Sequence, residues 1–180
     1  MELKLILTIL HLFGVALGAG GAYMSDLMFF SSARDSRISQ TELRFLTLGS
    51  VMVWLGLTIL FLSGLGLFSL DSAKYLASTK FQAKATIVLI IFLNGLIFHF
   101  SHLDRIKRHA GEHFPSSDEF MRKRPILLAS GAVSFISWTS ALILGALPGL
   151  PYSYSQIMGG YLVIIALAIS VALFIFRKIL

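Results

Sequence analysis

Five stretches of apolar sequence, each long enough to cross a bilayer, leave this chain almost no choice of fold. One helical crossing of the hydrocarbon takes about 20 residues, and the runs Leu3–Phe30, Leu43–Leu70, Phe81–Leu103, Ile126–Leu147 and Ser155–Phe176 all meet that length. In lipid, every backbone N–H and C=O must be satisfied within its own segment, so such runs are read as helices. The alternative, a water-soluble domain, fails on area. A chain of 180 residues, 56% hydrophobic and only 13% charged, has too much surface for its volume to hide that composition from water. The prediction is all-α: an integral membrane bundle of five transmembrane helices forming a single domain over 1–180. The largest aqueous piece, Asp104–Pro125, is too short for a core of its own. The N-terminal run is read as a span and not as a cleaved leader, because its apolar character continues through Met28, Phe29 and Phe30.

The distribution of cations predicts orientation. Of the fifteen Lys and Arg, eleven fall in the Ser31–Arg44 loop, the Asp104–Pro125 loop and the C-terminal tail, and four (Lys4, Lys74, Lys80, Lys84) on the other side. Cytoplasmic loops carry the excess of Lys and Arg. The N-terminus is therefore expected outside and the C-terminus in the cytoplasm, in a bacterial-type inner membrane that the chain crosses repeatedly. The net charge of +6 sits beside apolar spans, which suits anionic lipid better than nucleic acid. With no cysteine, disulfides, thiolate metal sites and iron–sulfur clusters are excluded.

Four helix starts carry the spacing of a capping box: Ser39 with Glu42, Thr79 with Gln82, Ser116 with Glu119, and Ser153 with Gln156. The third predicts a short polar helix ahead of Pro125, with Pro125 in the first turn of the next span. Leu147-Pro148-Gly149-Leu150-Pro151 predicts a tight outer turn.

The chemistry-bearing candidates lie inside the spans. Small residues bring helices together in lipid, and Gly14, Gly18, Gly21, Ala22 and Ser25 recur at helical spacing in the first span, with His11 on the same face. His11 is thus expected to point into the bundle, where an imidazole needs a partner. In the third span Lys84, Gly95 and His102 fall near one line, with His99 and Asn94 to the sides. Lys84 is placed either to snorkel outward or to bind a carboxylate or propionate. His102 is read as interfacial, and His99 as a candidate ligand. His11 and His99 were the natural pair to hold a haem between facing helices, but their depths differ by an expected 7–10 Å or so at the helical rise. That brings in Asn94 as a rival partner for His11. Trp54 and Trp138 lie near mid-membrane, lining a cavity or filling the core. Asp26 is expected to pair with Arg34 or Arg44. In the polar loop, His109, Glu112 and His113 match a zinc-protease string without the surrounding domain, and are read as a solvated loop or a loose surface metal site.

A family resemblance rests on these residues. His11, the small-residue run Gly14 to Gly21, Glu42-Leu43-Arg44, Gly56 and Gly64, and Lys84 followed by Asn94-Gly95 resemble the small histidine-bearing membrane proteins grouped around CopD-type copper-resistance proteins and HemJ-type protoporphyrinogen oxidases. The resemblance covers about half of the chain, in spans one to three. It implies haem b bound through His11, with Lys84 near a propionate or a substrate carboxylate.

Three readings follow. The first is a haem b-binding membrane protein with an electron-transfer or oxidoreductase-supporting role, its site made by His11, His99 and Lys84 and its partners a quinone, a porphyrin or a redox protein. The second is a copper or other metal permease-like protein, with His11, His99 and His102 as stepping sites and Met24 and Met28 as softer ligands. The third is a non-enzymatic accessory subunit whose Gly-rich faces pack on partner helices or on a second copy of the chain.

Overall fold

A computed structural model describes residues 1–34, 39–103, 106–107 and 118–179. Six helices follow in order: α1 (Glu2–Arg34), α2 (Gln40–Leu70), a short α3 (Ser72–Leu76), α4 (Thr79–Ile97), α5 (Asp118–Ala146) and α6 (Tyr154–Ile179). α4 runs on as a π-helical segment, Phe98–Leu103. Among the described residues there is no strand. Five helical stretches are long and apolar enough to cross a membrane: Glu2–Phe29, Gln40–Leu70, Thr79–Leu103, Pro125–Ala146 and Tyr154–Ile175. Their ends lie no more than three residues from those read off the sequence. The protein is a multi-pass membrane protein by this measure. Its apolar side chains are correspondingly turned outward, as Leu162, Val163 and Leu167 of α6 are.

α1 and α2 form an antiparallel hairpin held by close backbone approach. A Cβ placed on Gly14 would lie 3.0 Å from the Gly56 carbonyl oxygen, and one on Gly21 would lie 2.8 Å from that of Gly49. These contacts fix the register, and Leu7, His11 and Ser25 of α1 then meet Gly66, Gly64 and Gly49 of α2. The small-residue face predicted for α1 is this interface, with His11 on it. α5 is the hub of the rest, packing against α1, α4 and α6.

Polar cross-links join the other helices. Tyr23 of α1 meets Thr139 of α5 at 2.9 Å. The Asn94 amide donates to the Ser130 carbonyl at 3.0 Å, and the Ser130 hydroxyl donates back to Asn94 Oδ1 at 2.9 Å. Each interhelical bond of this kind is worth roughly 0.6 kcal/mol in a bilayer. At the opposite end, the Lys80 ammonium donates to the Leu147 carbonyl at 2.7 Å, and Thr79 donates to the Tyr152 carbonyl at 3.1 Å. These bonds pin the Pro-Gly turn between α5 and α6 against the start of α4.

The capping readings divide. The Ser39–Glu42 box is complete, the Glu42 N–H donating to Ser39 Oγ and the Ser39 N–H to Glu42 Oε2. Ser153 and Gln156 pair in the same way. α4 is capped by Ser78 and not by Thr79, whose hydroxyl is taken by Tyr152. Ser116 lies outside the described residues. α5 also runs unbroken from Asp118 through Pro125. The predicted short helix and the span after it are therefore one helix, with proline inside it. A proline there removes one backbone bond of the ladder, at the point where the polar start of the helix passes into the span.

Candidate functional site

His11 is anchored by α2. Its Nδ1 lies 3.0 Å from Ser63 Oγ, and that hydroxyl donates its single hydrogen to the Ile59 carbonyl at 2.6 Å. With the hydroxyl so engaged, the bond to His11 runs from the ring, with Nδ1–H as donor, and the Leu60 backbone is a second hydrogen-bond partner of the imidazole. In the neutral imidazole this leaves the lone pair on Nε2. A ligand histidine is typically prepared in this way, its second nitrogen held by a hydrogen bond that sets tautomer and ring direction. The Lys84 ammonium lies within electrostatic range of this ring. It forms no hydrogen bond or ion pair with any described residue. An open imidazole nitrogen and an unengaged ammonium are thus gathered among α1, α2 and α4. By donor type they suit a porphyrin iron and a carboxylate respectively.

His99 is not part of that arrangement. Its Nδ1 lies 3.2 Å from Ser50 Oγ, and its ring packs edge-on to Trp54. Ser63 and Ser50 are thirteen residues apart on α2, which is about 20 Å along the helix axis. The two imidazoles therefore do not flank one plane, and the depth gap is larger than the sequence suggested. His99 instead edges a groove of about 260 Å³ that includes Thr47, Thr58 and Lys107.

His102 is buried between the helices. It is 1% exposed and packs edge-on to Phe98. The cause is the π-helical segment Phe98–Leu103, which holds both histidines. It breaks the rotation of 100° per residue that the sequence reading carried past Ile97. π-Helical turns are rare and gather at functional positions.

Asn94 is not the partner of His11, since its amide is committed to Ser130. Asp26 is not paired with Arg44, which is exposed, and its Oδ2 is sealed from solvent without a hydrogen-bond partner. The Arg34 side chain lies outside the described residues, as do His109, Glu112 and His113. Among the described residues, no three of His, Asp and Glu come together as a metal site, so His11, His99 and His102 do not form a shared set. Trp138 is 2% exposed and seated on Gly18, where a Cβ would strike its ring. Both tryptophans also line a cavity between the helices, so the two roles considered for them coincide.

The sequence reading passed over the hydroxyls. Ser130, Ser134 and Ser137 fall at i, i+4 and i+7 of α5, a stripe on one helix face, and Ser130 and Ser137 bond to Asn94 and Tyr161. That spacing was the available signal. Compared with protein families, curated proteins and solved structures, the chain gives no match.

Proposed function

We propose that this protein binds haem b in the outer half of the bundle and has an electron-transfer or oxidoreductase-supporting role. The observation that carries the reading is the His11 ring, whose Nδ1–H is fixed on Ser63 so that Nε2 is the free ligating nitrogen. His11 would hold the iron, Ser63 would keep the ring oriented, and Lys84 would neutralise a propionate or a substrate carboxylate. When bound, the haem supplies the one-electron chemistry, and the protein supplies position and electrostatics. Because His99 lies about 20 Å from this level along α2, it is no part of the proposed site.

Oxidised and reduced optical spectra of gently extracted protein test the reading. A Soret band with b-type reduced bands is expected. No Soret band, even after haem supplementation during expression, would overturn it. Cofactor-free protein that co-purifies with a larger complex would assign the chain to an accessory role instead.

We further propose that the N-terminus faces out and the C-terminus faces the cytoplasm of a bacterial-type inner membrane. The excess of Lys and Arg at the ends of α1, α4 and α6 supports this. Alkaline phosphatase fused after Gly149 is expected to be active, and a fluorescent protein fused after Leu180 is expected to fold and emit. The reverse pattern would invert the assignment.

A further inference from the structure

A cavity of about 60 Å³ lies between α1, α2, α4 and α5, at the end of the bundle where α1 finishes and α5 begins. A water needs about 10–15 Å³ of such space, so the cavity has room for water. Its polar lining includes Ser25, Asp26, Asn94, His102, Ser130 and Ser134, with Ser50, which is bonded to His99. Two oxygen atoms of this lining lack a hydrogen-bond partner among the described residues. Asp26 Oδ2 and Ser25 Oγ are both sealed from bulk solvent with no hydrogen bond, and Ser25 is only 7% exposed. Asn94 and Ser130 satisfy each other. The Ser134 hydroxyl hydrogen-bonds the Asp26 carboxyl.

Buried polar atoms are nearly always satisfied by protein or by ordered water, and ionisable groups inside membranes mark ion and proton paths. Among the described residues no Lys or Arg lines this cavity, and His102 is the only other titratable group on it; α2 and α5 contribute none. A carboxyl facing a polar cavity with no described counter-cation can exchange either a proton or a bound cation with it. Hard divalent cations take six or more oxygen ligands. Among the described lining oxygens only Asp26 Oδ2 and Ser25 Oγ are sealed from solvent without a hydrogen bond. The balance falls to the proton.

We infer that the cavity is a proton-exchange site, with Asp26 as the proton carrier and cavity water as its donor and acceptor. In the uptake step the O–H bond made on Oδ2 is the one broken on a protonated cavity water, and release reverses it. No electron is transferred. The site is separate from His11 and stands whether or not haem binds there.

Infrared difference spectroscopy on the full-length protein in lipid nanodiscs, between acid and alkaline pH, reads the step directly. A carboxyl C=O band that titrates is expected in the wild type. It should be missing in Asp26→Asn and displaced in frequency by Ser134→Ala. Should Asp26→Asn fail to fold, Ser134→Ala decides alone. A wild-type band unchanged by Asp26→Asn, or unmoved by Ser134→Ala, overturns the inference. So does loss of the band on adding Na⁺ at fixed pH, which would make the cavity a cation site.

Discussion

Gly56→Ala is expected to lower the stability of the bundle by about 1–3 kcal/mol, the range for forcing atoms into a packed interior. The added methyl would sit 2.6 Å from the Gly18 Cα and 2.7 Å from the Gly14 carbonyl oxygen. Both are backbone atoms, so no side chain can swing aside to make room. The helices themselves must part. Separation of α1 from α2 would also loosen the bond from His11 to Ser63, since both residues lie on that interface. Gly20→Ala is the matched control. A Cβ there meets nothing within 4 Å, and glycine in a helix is worse than alanine by about 1 kcal/mol. That variant should be neutral or slightly stabilised. Unfolding in detergent, followed by circular dichroism with increasing denaturant, compares the two. Equal stability for Gly56→Ala and wild type would show that the α1–α2 register is not the one described.

His11→Gly should remove the haem signal altogether while leaving the helical content in place, and added imidazole should restore it. The logic is positional. The variant leaves a space the size of the ring beside Ser63, and free imidazole can enter it and offer the same nitrogen. A histidine that only locked the packing would behave differently, for imidazole would then restore stability without restoring any absorbance. Ser63→Ala probes the same site more gently. It keeps the ligand but removes the group that orients it, and losses of this kind cost about 10–100-fold in affinity. Retention of a full Soret band in His11→Gly without imidazole would remove His11 from the site.

The spans were legible because bilayer thickness imposes a length and lipid imposes a composition, and both are written in consecutive residues. The face of α1 was legible for a similar reason. Gly14, Gly18 and Gly21 keep helical spacing, so His11 could be placed on their side without knowing what it would meet. What it meets was not legible. Ser63 becomes its partner only through the antiparallel register, and that register is set by contacts such as Gly21 with Gly49, which join residues far apart in sequence. The surroundings of His99 and His102 were not legible, for a local reason. A π-helical segment has no clear sequence mark, and it rotates everything beyond Ile97 away from the extrapolated face. Asp26 was assigned to Arg34 or Arg44 because charge pairing is the simplest expectation; Arg44 is exposed and does not pair with it, and the Arg34 side chain lies outside the described residues. The sequence gives no direct sign that three helices would surround its carboxyl with serines and an asparagine.

The central place of α5 has a consequence for biogenesis. The chain is made from its N-terminus, and α1 and α2 can join as a hairpin as soon as both have been inserted. α4 then enters the bilayer with the Asn94 amide bare, and the Asp26 carboxyl still lacks its enclosure. Both wait for Ser130 and Ser134, which arrive with α5. A ribosome that stalls in the loop before α5 therefore leaves an amide and an acid facing hydrocarbon, a mark by which membrane proteases can tell an unfinished chain from a finished one.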